Sequence, residues 1–320
     1  MKNIMRAALA ASTALLVAQA HAGVVINTPG GASVGVQDGG ALGAAEPTGG
    51  PFTGIAFTGV GDGITPGCLC EGWGASGNGV YGQSGNANGG NVNITILPFV
   101  GVAGVSGVST VQVGGGGPLV TQAYGLSASQ YLVRDTVTLT NMTGALMTDV
   151  RYSRSMDWDI PPTTFREDVT IQRNGSTKLL YSNDNGFAAP NPLVNPAALR
   201  AGTTNTDFVD NGPADHGAFF TFGFGDLAIG ASTTFDIFYG AAPSEALALG
   251  ALGAVAAEVY SFGQQSGDPT GGTPATYIFG FAGVGGTAVT VPEPSGIALM
   301  LTAFGIAGAV GRKAQGRKQA

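Results

Sequence analysis

Asp157, Trp158 and Asp159 are the residues whose types and spacing point most directly to chemistry. They lie in Arg154-Ser155-Met156-Asp157-Trp158-Asp159-Ile160-Pro161-Pro162. On an extended backbone the two carboxylates share one side and the indole takes the other. Glycosidases use a carboxylate pair and aromatic rings stack on sugar faces, so these three are candidate glycan contacts or a carboxylate-based hydrolase site. Trp73 and Tyr81 are the further aromatics that could extend such a surface. Carboxylates two residues apart on one strand rarely straddle a bond, however. The stronger reading is a strand end, with Trp158 in the core and Asp157 paired to an arginine.

Other clusters carry less. Asn183-Asp184-Asn185-Gly186 offers oxygen ligands in a tight turn that calcium could accept. It lacks the Asp-x-Asp-x-Asp-Gly loop with its distal glutamate, and turn chemistry alone explains it. Asp184, with Asp207 and Asp210 in the polar loop 207–216, are therefore weak calcium candidates, and no other cofactor is expected. Cys68 and Cys70 are the only cysteines; a local disulfide and two free thiols both stay open. Zinc needs about four ligands, and no histidine is near them in sequence. His216 is the one histidine outside the first 22 residues, and no Gly-x-Ser-x-Gly elbow accompanies it. Gly114-Gly115-Gly116-Gly117-Pro118 is not followed by Gly-Lys-Ser/Thr, so it reads as a connection, not a phosphate loop. The side chains available point away from an enzyme.

Composition sets the scaffold. Of 320 residues 55 are glycine, 10% are charged and 44% are hydrophobic. This is too apolar for a disordered chain and too rich in glycine for a helical bundle, and many short strands joined by glycine turns account for it. Six of the 13 Lys and Arg lie at the two ends, against only Glu293 of the 20 Asp and Glu, so the body carries seven basic and nineteen acidic residues, a balance of −12. No basic residue occurs between Arg6 and Arg134. That excludes nucleic acid as a partner and disfavours anionic lipid.

The elements that must position these residues are strands. Residues 23–127 form a glycine-rich β region in which Val92–Ile96 alternates as a half-buried strand. Residues 128–287 form a second β region. Val133, Asp135, Val137 and Leu139 alternate with polar neighbours; Asn141–Gly144 then turns the chain into a return strand with Leu146, Thr148, Val150 and Tyr152 on one face. Asn174-Gly175, between Val169–Gln172 and Lys178–Tyr181, predicts a second hairpin. Phe219–Phe224, Phe235–Tyr239 and Tyr277–Phe281 add aromatic strands. One helix near 244–262 is predicted, capped by Ser244, with Leu252, Val255, Val259 and Phe262 on one face. The fold class is all-β, a sandwich or two packed β units with one covering helix. Whether the break at 114–130 is a loop or a linker stays open.

The ends carry addresses. Lys2 and Arg6 precede the apolar stretch Ala7–Ala18, and Gln19-Ala20-His21-Ala22 offers a small-x-small cleavage site. Residues 1–22 therefore read as a secretory signal peptide removed before Gly23. Residues 288–320 contain Val291-Pro292-Glu293-Pro294-Ser295, an apolar run 296–310, and a basic tail with Arg312, Lys313, Arg317 and Lys318. Prolines around Glu293 make a stiff hinge, the run predicts a single transmembrane helix, and the basic residues are its cytoplasmic stop. At 1.5 Å per residue the run reaches roughly 22 Å. That is short of a hydrocarbon core of about 30 Å, which suits a retention helix that is later processed. This order resembles the PEP-CTERM sorting signal of Gram-negative bacteria. The resemblance covers only residues 291–320. It implies recognition by exosortase, cleavage near Pro292–Pro294, and passage through the inner membrane to the cell surface or the extracellular matrix. A non-enzymatic exported protein is the expectation; the alternatives are a secreted polysaccharide-binding module, with or without calcium, and a carboxylate-based glycoside hydrolase.

Overall fold

The computed structural model describes residues 23–45, 52–267 and 274–290. They form an all-β sandwich of two large antiparallel sheets with one helix on its outside. The larger sheet has ten strands. In spatial order it runs Val100–Val102, Ser106–Val113, Leu119–Leu126, Leu132–Thr140, Ser232–Ala242, Thr276–Ala282, Val259–Gln265, Glu167–Gln172 and Phe208–Ala214, with Ile94–Ile96 also pairing on Ser106–Val113. The second has five strands: Leu179–Asn183, Gly217–Leu227, Met147–Asp157, Glu71–Gly77 and Val80–Gly85. A four-stranded sheet holds Gly23–Asn27, Ala32–Gln37, Ile55–Phe57 and Gly61–Asp62. A small ladder joins Ala44–Ala45 to Phe52–Thr53.

The period-2 patterning seen in the sequence decides which face is core. Along Leu132–Thr140, Val133, Asp135, Val137 and Leu139 are buried while Arg134 is exposed. Aromatic side chains from the two large sheets meet between them: Phe222 with Phe281 at 4.7 Å between ring centroids, Tyr152 with Phe235 at 5.1 Å, and Phe220 with Phe281 at 5.3 Å. Such contacts add to the apolar burial that holds the sheets together. The strand Glu71–Gly77 is buried along its whole length. Glycine is required at position 74, because a Cβ there would run into the Pro190 carbonyl of the loop crossing over it.

One charged network lies inside this core. Arg154 is fully buried; its Nε donates to Glu71 at 2.6 Å and its Nη1 to Gln122 at 2.9 Å and to the Tyr152 hydroxyl at 3.1 Å. Nη2 donates to the Gly40 carbonyl at 3.1 Å, Asp135 lies 3.8 Å from Nη1, and the guanidinium sits 5.1 Å from the Tyr239 ring centre. Glu71 also accepts from the Leu42 amide at 2.6 Å. The network thus ties the loop between the small sheets to both large sheets.

Two expected hairpins are not hairpins. Asn174 and Gly175 do adopt left-handed conformations, φ 44° and 67°, as a tight turn requires. Glu167–Gln172 nevertheless pairs with Val259–Gln265 and Phe208–Ala214, while Leu179–Asn183 pairs with Gly217–Leu227. The turn is an arch from one sheet to the other. Asn141–Gly144 behaves likewise: Leu132–Thr140 pairs with Leu119–Leu126 and Ser232–Ala242, and Met147–Asp157 lies in the opposite sheet. A bulge at Asp149 (φ 51°) also shifts the phase, so Leu146 and Thr148 are exposed while Val150 and Tyr152 are buried. Arching lets both strands of each pair turn an apolar face into the same interior.

The helix is shorter than expected, spanning Glu245–Ala254. Ser244 caps it, accepting from the Leu247 amide. Ala248, Ala251 and Leu252 pack on Leu132, Phe238 and Ile278, on the outer face of the ten-stranded sheet. Ala256 is left-handed (φ 52°) and ends the element, so Val259 and Phe262 belong to the next strand, not to a helical stripe. Gly114–Gly117 is a turn within one sheet, because Gln112 pairs with Leu119 across it. Both large sheets contain strands from before and after residue 127. Among the described residues no helix is long and apolar enough to cross a membrane. Residues 1–22, the Val291–Ser295 motif, the run 296–310 and the basic tail lie outside the described residues.

Candidate functional site

The chain crosses between the two large sheets twice at one end of the sandwich, and its carboxylates collect there. Asp157 ends the strand Met147–Asp157 in the five-stranded sheet, opposite Gly217. Asp159 lies on the crossover that follows, with its amide bonded to the Gly63 carbonyl at 2.8 Å. Glu167 opens the next strand, in the ten-stranded sheet. Asp215 sits on the return crossing between Phe208–Ala214 and Gly217–Leu227. Gly186 and Gly217 let the neighbouring chain pass over this strand end. A Cβ at Gly186 would lie 2.5 Å from the Asp157 Cα, and one at Gly217 would strike the Met156 carbonyl.

One oxygen each from Asp157, Asp159 and Asp215 lies within 4.8 Å of the others. Asp157, Asp159 and Glu167 are buried, whereas Asp215 is exposed and forms the rim. Among the described residues, Asp157 Oδ1, both oxygens of Asp159, and Glu167 Oε2 have no hydrogen-bond partner. Glu167 Oε1 accepts from the His216 amide at 3.1 Å. Among the described residues no arginine or lysine forms an ion pair with Asp157 or Asp159. Burial, reinforced by the charges of Asp159, Asp215 and Glu167, pushes Asp157 up to about 9. Burial, then Asp215 and Asp62, pushes Asp159 up to about 7. Glu167 rises to about 8, again chiefly through burial and against the pull of the His216 amide. Burial and mutual repulsion thus raise all three carboxyls above the ordinary carboxylate range.

The disulfide forms one wall. Cys68 and Cys70 are bonded, and the Cys68 sulfur lies 3.8 Å from Asp157 Oδ2. Asp157 has no arginine partner among the described residues, contrary to the expected pairing; Arg154 turns inward to Glu71 instead. Trp158 is fully buried with its indole N–H donating to Ser261 at 3.1 Å, and Trp73 is buried with its own donating to the Gly39 carbonyl at 2.8 Å. Neither presents a face to a sugar, and Tyr81 is only half-buried on its own strand.

The loop aspartates are engaged elsewhere. Asp184 accepts from the Leu199 amide at 2.9 Å, from Thr203 at 2.8 Å and from the Arg200 amide at 3.1 Å, and lies 3.1 Å from His216 Nδ1. Burial works to raise its carboxyl, but these hydrogen bonds outweigh it and hold Asp184 below its ordinary value. Asp207 binds Arg173, and Asp210 bonds with Thr170. Residues 208–214 form a strand where a polar loop was expected. Sequence reasoning singles out Asp157 and Asp159 and misses Glu167 and Asp215 as their neighbours.

Comparison of the chain with family models, curated proteins and solved structures gives no match.

Proposed function

We propose that this chain is an exported, non-enzymatic protein of the cell surface or extracellular matrix, sorted through a C-terminal PEP-CTERM signal. The observation that carries the reading is the pairing of two addresses on one chain. Lys2, Arg6 and the apolar stretch Ala7–Ala18 stand at one end; Val291–Ser295, the run 296–310 and the basic tail stand at the other. The body between them is compatible with export. Its first strand begins at Gly23, directly after the expected cleavage site, and its last, Thr276–Ala282, is complete before the sorting motif. The Cys68–Cys70 disulfide suits an oxidising compartment.

Exosortase is the partner in this reading, and the inner membrane is a way-station where the run 296–310 holds the chain. Intact mass and cell fractionation test it, in cells with and without exosortase activity. The expected product begins at Gly23, lacks the 296–310 run and reaches the surface only when exosortase is active. A full-length chain retained in the inner membrane in both backgrounds would make the tail a plain anchor.

A further inference from the structure

We propose that Asp157, Asp159 and Asp215, backed by Glu167, form a calcium site at the end of the sandwich. Two independent observations support it. The first is spacing: ligand oxygens on a calcium ion lie 2.3–2.6 Å from the metal, so opposite ligands stand up to about 5 Å apart. The three aspartate oxygens, all within 4.8 Å of one another, fit around one such ion. The second is the set of orphaned atoms. Burying a carboxylate oxygen without a donor or a cation is strongly unfavourable. Here Asp159 has both oxygens buried and unpartnered, and Glu167, outside the aspartate trio, adds an unpartnered Oε2. A divalent cation held by the three aspartates would supply the partner that the Asp159 oxygens lack.

The donor set selects the metal. All four groups are carboxylates, the hard oxygen ligands that calcium takes in irregular number and geometry. Zinc prefers nitrogen and sulfur. The nearby sulfurs of Cys68 and Cys70 are joined to each other and so are not thiolates. His216 turns Nδ1 to Asp184, and it is not among the residues that cluster with Asp157. Magnesium demands near-ideal octahedral geometry and keeps much of its water, which a buried set on three different segments does not favour. Entry is from the Asp215 side, the exposed edge of the cluster. The site rests on these side chains alone, so it stands or falls separately from the export reading.

The test uses the full chain, stripped with EDTA and titrated with calcium chloride by calorimetry, with thermal unfolding followed in parallel. One calcium per chain is expected, with a melting temperature that rises with calcium and a weaker response to magnesium. Asp215→Asn, at the exposed rim where folding is not at risk, should weaken binding at least tenfold, and Asp159→Asn should abolish it. Asp207→Asn and Asp210→Asn, at the positions that the sequence alone offered for calcium, should bind as the parent does. No uptake by the stripped parent up to about 10 mM calcium, beyond the weak range of extracellular calcium modules, would overturn the site. So would unchanged binding by Asp215→Asn, or loss of binding on Asp207→Asn.

Discussion

Arg154 is a full positive charge enclosed on every side, and its partners define what replacing it does. Arg154→Met would leave Glu71 buried without its cation, a change that typically destabilises by about 3–5 kcal/mol. Urea unfolding should show that loss, and a midpoint near the parent's would mean the network is dispensable. Asp135, in the same network, gives a pH signature. Burial pushes it up to about 7 against the pull of Arg154. The native state thus keeps a proton that the unfolded chain gives up near pH 4. Its contribution to stability is full below about pH 4, declines as pH rises towards 7, and is gone above it. The cluster carboxylates slope the same way, so the informative quantity is the difference between the parent and Asp135→Asn. The parent should lose stability relative to the variant between about pH 4 and 7, measured by denaturant midpoints at several pH values in EDTA; parallel curves would contradict the assignment. At this scale the sequence was half legible. Asp157 and Asp159 share a segment, so their proximity could be read directly. Glu167 and Asp215 join them only because two sheets converge, which no local spacing records.

The helix Glu245–Ala254 illustrates what elements gain from their surroundings. Leu252 seats over Gly280, where a Cβ would come within 2.8 Å of its methyl group. Leu252→Ala should destabilise by about 2–5 kcal/mol, whereas Ser244→Ala, which removes only the cap, should cost about 1 kcal/mol. Thermal unfolding of the two variants separates packing from capping, and equal losses would mean the helix is held mainly by its end. The start of this helix was legible because a cap is local. Its end was not: Val259 and Phe262 fit a helical stripe and a strand equally well, and pairing with Thr276–Ala282 decided between them. The two arches show the same limit. Asn174-Gly175 specifies a reversal of the chain but not whether the returning strand stays in the sheet it left.

At the scale of the molecule, the all-β class and the outer helix followed from composition and periodicity, because glycine turns and alternation are summed over many residues. The sharing of both large sheets by the two halves did not, since partner choice is long-range. It implies one cooperative unit. Calorimetry of the parent should give a single unfolding transition, and the isolated segment 23–127 should stay unfolded, because Glu71–Gly77 lacks Met147–Asp157 and Leu119–Leu126 lacks Leu132–Thr140. Two resolved transitions would refute this.

The same pairings set a schedule. Thr136 meets Asp236 across 100 residues of chain, and the middle of the ten-stranded sheet waits for Ser232–Ala242 and Thr276–Ala282. Contacts so distant in sequence form slowly, because long loops must close before pairing rewards them. While it emerges from the ribosome, the chain cannot complete either large sheet. Local pairs such as Glu71–Gly77 with Val80–Gly85 can form early, but both large sheets stay incomplete until the last third has been made. Under the export reading proposed above, late closure of the sandwich would leave the chain open during passage across a membrane.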